Sequence, residues 1–275
     1  METWLQILRS LTLPEKRSLM LTCKIMHDTV SPIVYRILVT QERIKPRPVK
    51  AMRSSSHIPR VPITPMLPCL LRSTRTDDGR AVSRRYVEYI KSFTVLSYIP
   101  LSNLRSIPIL VHILRHMTSL QFLRIEICEE SIPLLIALLF RFNLVRLPTL
   151  VHTMDASTAS SPHTVLHLPA LRGFRTKHCE LAGVILHLRP LEVLILDGDV
   201  LPGGFSQFIH STSAAASSLT TLSMTLGGPI DFVQSAVQTV ILSLPALEYL
   251  SFRSDPAFTL KAITVSYSVR NQIQI

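Results

Sequence analysis

Pro190-Leu191-Glu192-Val193-Leu194-Ile195-Leu196 is the stretch whose reading decides the fold, because the chain repeats it. The echoes are Ser119-Leu120-Gln121-Phe122-Leu123-Arg124-Ile125, Ala170-Leu171-Arg172-Gly173-Phe174, Ser218-Leu219-Thr220-Thr221-Leu222-Ser223-Met224 and Ala246-Leu247-Glu248-Tyr249-Leu250-Ser251-Phe252. In each, a leucine leads into apolar residues that alternate with others, the period of a strand with one face toward a core. With the weaker Asn143-Leu144-Val145-Arg146-Leu147, the leading leucines fall at 120, 144, 171, 191, 219 and 247, at intervals of 24, 27, 20, 28 and 28.

A period of 20–29 residues with an L-x-x-L-x-L strand core is the pattern of leucine-rich repeats. The expected fold class is therefore α/β: a short helical head followed by an irregular leucine-rich-repeat solenoid over residues 85–275. It is irregular because the usual Asn or Cys after the third leucine is mostly absent. Cys128 and Cys179 lie near that place, whereas Asp197 and Gly227 do not fit it. The stretches Ile107 to His116 and Ile230 to Leu242 have helical apolar spacing and are expected to return along the convex side. Tyr86 to Phe93 reads as an entry strand.

The 42 leucines and 47% hydrophobic content provide for a core, while only 8 glycines leave little room for phosphate-cradling loops. The four cysteines, Cys23, Cys69, Cys128 and Cys179, have no CxxC spacing, and Met1-Glu2-Thr3-Trp4 lacks the basic start and apolar run expected of a signal peptide. They read as reduced thiols of a cytoplasmic and/or nuclear protein. The most membrane-like stretch, Ile132 to Val151, is broken by Arg141, Asn143 and Arg146, so no membrane partner is expected. Of the formal net charge of +11, residues 43–91 carry +9, from 12 Lys/Arg against Asp77, Asp78 and Glu88. That region also holds Pro46, Pro48, Pro59, Pro62, Pro65 and Pro68, so 41–84 reads as a basic linker or long loop between a head at 1–40 and the repeats.

In the head, Trp4, Leu5, Leu8 and Leu11 recur at helical spacing. A second helix is expected from near Pro14 through Leu19, Met20 and Cys23, and a third element carries Val30, Ile33, Val34 and Leu38. The run Ile7-Leu8-Arg9-Ser10-Leu11, then Leu13-Pro14, Ser18-Leu19, Thr22-Cys23-Lys24, and Pro32 with Tyr35-Arg36, resembles an F-box. It is most similar to the F-box-like segments heading many proteins of mushroom-forming fungi. Cys23-Lys24, His27 and Pro32-Ile33-Val34-Tyr35-Arg36 carry the likeness; the family's opening Leu-Pro-x-Glu has no counterpart ahead of the first helix.

The resemblance implies a non-enzymatic substrate-recognition adaptor of an SCF-type ubiquitin ligase. Its head would dock on the SKP-type adaptor of a cullin-RING ligase, and its repeats would hold a protein substrate of unspecified identity. The adaptor-binding residues it implies are Leu8, Leu11, Leu13, Pro14, Leu19 and Cys23, with Pro32 and Tyr35 bracing the last helix. One alternative is a leucine-rich-repeat interaction scaffold with a non-functional head. Another is a nucleic-acid-associated protein acting through residues 43–91, disfavoured because that segment offers little besides Tyr86 and Tyr89 for base stacking.

No catalytic, cofactor or metal site is expected. His112 and His116 stand at i, i+4, but Ile113 occupies the position where a zinc protease needs glutamate. Lys177-His178-Cys179-Glu180 are sequence neighbours that a strand would send to opposite faces. Asp197 and Asp199, flanking Gly198, read as a turn after a strand. Gly203-Gly204 and Gly227-Gly228 likewise read as turns, with no nucleotide-binding pattern around them.

Overall fold

The computed structural model describes residues 6–8, 10–42, 60–61, 63–74, 86–97, 106–142, 168–186, 191–212, 217–254 and 264–268. After helical residues at 6–8 and 10 come α1 (Leu13–Met20) and α2 (Lys24–Val34), and the chain then enters β1 (Ile37–Glu42). After β2 (Arg60–Val61) come α3 (Ile63–Thr74) and a single turn, α4 (Tyr86–Tyr89). From there strand and helix alternate: β3 (Ser92–Ser97), α5 (Ser106–His116), β4 (Phe122–Glu126), α6 (Ile132–Arg141), β5 (Gly173–Thr176), α7 (Cys179–Leu186) and β6 (Val193–Val200). The series ends with α8 (Pro202–Thr212), β7 (Thr221–Leu226), α9 (Ile230–Ser243), β8 (Tyr249–Ser254) and β9 (Thr264–Ser268).

All nine strands form one sheet in the order β2-β1-β3-β4-β5-β6-β7-β8-β9. Strands β1 to β8 are parallel, and β9 closes the far edge antiparallel to β8. A parallel neighbour cannot be reached by a tight turn, so each step needs a crossover. Five successive crossovers, from β3 to β8, contain an α-helix. The start of each strand is tied to the one before: the carbonyls of Arg36, Lys91, Gln121, Arg172, Glu192 and Thr220 each accept two successive N–H groups from the next strand.

Alternation places every second side chain in one shared layer. In register across the sheet run Leu38, Phe93, Leu123, Phe174, Leu194, Leu222 and Leu250. A second row runs Thr40, Val95, Ile125, Thr176, Leu196, Met224 and Phe252. These rows pack against Leu110, Leu114, Leu135, Leu139, Leu181, Ile185, Phe205, Phe208, Ala236 and Val240 of the crossover helices in one continuous core. Full burial of each large side chain contributes roughly 1.5–3 kcal/mol. The leading leucines Leu120, Leu171, Leu191, Leu219 and Leu247 are buried too, so they anchor the turns that start β4 to β8.

This is an α/β arrangement built on one mainly parallel sheet, which corrects the expected helical head followed by a leucine-rich-repeat solenoid. The sheet does not begin with the repeats: β1 follows directly from the head helices and lies between β2 and β3. Strand starts at Ile37, Ser92, Phe122, Gly173, Val193, Thr221 and Tyr249 keep no constant period. The reading failed for a physical reason. L-x-x-L-x-L records a buried lead-in followed by in-out alternation, and any parallel strand fed by a helical crossover with one covered face produces it.

Two further expectations change. The stretch expected as an entry strand begins as helix α4 and becomes strand only at Ser92. The interval expected as a linker contains α3, whose Met66, Leu67 and Leu70 sit in the main core. The weakest repeat, around Leu144, lies outside the described residues; β4 pairs directly with β5.

Candidate functional site

The head packs around its own small core. Leu8, Met20 and Val30 are buried together, with Leu11, Leu19, Ile33, Val34 and Tyr35 against them. Helix α1 starts where local chemistry directs it: the Glu15 carboxylate accepts from the Thr12 N–H at 2.6 Å and its hydroxyl at 2.7 Å, and Pro14 occupies the first turn. The same hydroxyl and amide of Thr12 hold the Glu15 carboxyl below its ordinary range.

The eight residues named from the sequence divide between interior and surface. Leu8, Leu11, Leu19 and Tyr35 build the head's interior, whereas Pro14 and Cys23 are exposed and Leu13 is half-exposed. Pro32 is half-buried inside α2. Sequence reasoning missed the most exposed apolar side chains there, Leu21 at 86% and Ile25 at 74%, with Ile7 also exposed. Both flank the break between α1 and α2, where the helical period restarts and the pattern no longer separates inside from outside.

A polar junction joins the head to the sheet. The Ser31 hydroxyl donates to the His27 carbonyl at 2.6 Å, and its oxygen lies 3.0 Å from His27 Nδ1. The hydroxyl has one proton to give, so Nδ1–H is the donor to Ser31 Oγ. His27 Nε2 is thereby left to accept from the Tyr86 hydroxyl, at 3.2 Å. The rings of Tyr35 and Tyr86 meet with centroids 4.6 Å apart, and burial pushes the Tyr35 hydroxyl's pKa up. His27 was noted in the sequence only as part of a motif; its bond to Tyr86 crosses 59 residues and leaves no local trace.

The other candidate surface is the sheet face turned away from the helices. Phe122, Val193 and Ile195 point there and take no part in the main core. In register on adjacent strands stand Arg124 and Arg175. Arg124 donates from Nε to Glu126 Oε1 at 2.6 Å, and its Nη2 pairs with the same oxygen. Arg175 grips Asp197 with two bonds, Nε to Oδ2 at 2.6 Å and Nη2 to Oδ1 at 3.1 Å. Arg124 Nη2 also reaches Asp197 Oδ2 at 4.0 Å, which links the two pairs. The carboxylates lie deeper, Glu126 at 2% and Asp197 at 21% exposure, against 28% and 33% for the arginines.

The remaining candidates form no reactive constellation among the described residues, and no three metal-ligating side chains come together there. The rings of His112 and His116 face each other at 5.0 Å. His178 Nε2 lies 2.8 Å from the Ile127 carbonyl, a structural tie between the ends of two strands. Burial, with the Glu180 charge, pushes the Cys179 thiol up to about 11, so it stays protonated and a poor nucleophile near neutrality. Cys128 donates to Glu130, which raises the thiol's pKa and lowers the carboxyl's.

Gly203-Gly204 fall in the first turn of α8, and Gly227-Gly228 join β7 to α9. No helix among the described residues is long and apolar enough to cross a membrane. Most of the basic segment 43–91 lies outside the described residues. No family model, no curated protein and no solved structure matches the chain.

Proposed function

We propose that the chain is a non-enzymatic substrate-recognition adaptor of an SCF-type ubiquitin ligase. The head docks on the SKP-type adaptor, and the open face of the α/β sheet holds the protein to be modified. The observation that carries this reading is the exposure of Leu21 and Ile25 on a head whose own core is already filled by Leu8, Met20 and Val30. Large apolar side chains gathered on one exposed break are what a partner surface desolvates. The F-box-like residues around them supply the partner's class. The work done is positioning: the ligase supplies the chemistry, and this chain supplies proximity.

The test is capture of purified SKP-type adaptor by the full chain, compared with Leu21→Asp/Ile25→Asp. Both positions are exposed, so the double variant keeps its circular dichroism and denaturant midpoint. Its capture falls at least about tenfold, since each buried apolar anchor is worth more than about 1 kcal/mol. Substitution at Leu8 is unsuitable for this test, because a charge there unfolds the head. Equal capture by wild type and variant, or none by either, removes the ligase reading.

A further inference from the structure

We infer that the partner face received by Leu21 and Ile25 is an apolar groove rimmed by carboxylates, and that Arg17 and Lys24 are the side chains that select it. The inference deepens the proposed role of the head and rests on that reading. It adds the charge of the partner and the two residues that meet it.

Helical spacing brings these residues to one exposed region. On α1, Pro14, Arg17 and Leu21 follow at i, i+3 and i+7, and all three are exposed. On α2, Lys24, Ile25 and Asp28 are exposed on the side away from Val30, which is buried in the head's core. Arg17 lies one helical turn before Leu21, and Lys24 is the neighbour of Ile25.

What distinguishes the two cations is that nothing balances them. Among the described residues neither side chain has a hydrogen bond or an ion pair. The carboxylates of the two helices are engaged: Glu15 turns back on the amide and hydroxyl of Thr12, and Asp28 lies 3.6 Å from His27 Nδ1. The Arg17 charge is felt by the Tyr35 hydroxyl, which is neutral near pH 7 and supplies no counter-charge. On the sheet, by contrast, Arg124 and Arg175 each have a carboxylate of their own.

Lys24 is also placed against local preference. It stands in the first turn of α2, where the helix dipole disfavours a cation, with no acidic residue in that turn and no side chain capping it. A residue that breaks a local rule without an internal gain points to a gain outside the chain. Apolar anchors with charges at their rim are the ordinary anatomy of a protein–protein contact. The anchors hold the complex together, and the rim charges govern how fast it forms.

The experiment follows association of the full chain with purified SKP-type adaptor by biolayer interferometry. It is run at about 0.05 M and about 0.5 M salt, where exposed charges are respectively felt and screened. Wild type is compared with Arg17→Gln/Lys24→Gln and with Leu21→Gln/Ile25→Gln, whose charge is unchanged. At low salt the cation variant associates about five- to tenfold more slowly than wild type and dissociates at the same rate; the two converge at high salt. The apolar variant instead dissociates at least about tenfold faster, with the salt dependence of wild type. Arg17→Lys/Lys24→Arg keeps wild-type association, because a rim reads charge more than shape. Residues 43–91 carry +9 and steer any acidic partner, so the reading is the difference between wild type and the cation variant.

The cation variant keeps its circular dichroism and urea midpoint, since it removes one cation from the last turn of α1 and one from the first turn of α2, with opposite effects. Equal association of wild type and cation variant at low salt, while the apolar variant still releases, overturns this inference and leaves the docking reading standing. No association by wild type overturns both.

Discussion

Gly198 shows how little of a strand's course is written beside it. Asp197-Gly198-Asp199 reads locally as a turn, yet β6 continues through it to Val200, with its register on β7 shifting between Leu196 and Asp199. What holds the segment in the strand is remote: Arg175 binds Asp197 from the neighbouring strand. The glycine is needed because a Cβ at 198 would lie 2.0 Å from the Lys177 carbonyl oxygen and 2.9 Å from its carbon. Backbone atoms cannot swing aside as a side-chain tip can, so Gly198→Ala lowers stability by about 1–3 kcal/mol or more. Gly203, in the first turn of α8, has nothing within 4 Å of its would-be Cβ. Gly203→Ala there gains about 0.5–1 kcal/mol through helix propensity and a less flexible unfolded chain. Urea midpoints moving in opposite directions for the two alanines check both; a Gly198→Ala midpoint equal to wild type contradicts the close approach.

At the scale of elements, strands β4 to β8 were legible because each repeats a buried lead-in followed by alternation. The helices 107–116 and 230–242 were legible from their spacing. Helix α3 was not. Its neighbourhood is dominated by Pro62, Pro65 and Pro68 and by basic charge, and composition averaged over the interval hides a short apolar face formed by Met66, Leu67 and Leu70. Pro65 sits in the first turn, where its missing N–H costs nothing, and only Pro68 lies deeper in the helix. Strand β1 was hidden differently: Leu38 was read as the end of a helical element, whereas its register partner Phe93 places it in the sheet. If α3 is core, Leu67→Ala costs about 2–5 kcal/mol, as for other fully buried leucines. A linker residue would change the denaturant midpoint by nearly nothing, so one chemical-denaturation curve distinguishes the two roles.

For the whole molecule, the question is whether the head can move against the sheet. Strand β1 leaves α2 after two residues and pairs with β3 at six successive positions, from Ile37 with Ser92 to Glu42 with Ser97. The Arg36 carbonyl accepts from both Lys91 and Ser92, and Thr40 Oγ1 donates to the Thr94 carbonyl at 3.0 Å. With the part-buried His27–Tyr86 bond and the Tyr35–Tyr86 ring contact, these ties hold the head to the sheet, and loss of the buried Thr40–Thr94 bond strands a polar group away from water. The head's own core, three buried residues with a few partly buried ones around it, is too small to outlast them. Head and sheet therefore unfold in one transition. A fluorophore on Cys23, exposed at the start of α2, reports the head, and far-ultraviolet circular dichroism reports the whole; their urea midpoints coincide. Tyr86→Phe removes the hydroxyl that His27 accepts and lowers both midpoints together, by about 0.5–1.5 kcal/mol. If the Cys23 signal melted first, the head would be a hinged module and its bearing on the sheet would be set by the two-residue joint between α2 and β1. Coincident melting makes that bearing a property of the fold, as the proposed adaptor role requires.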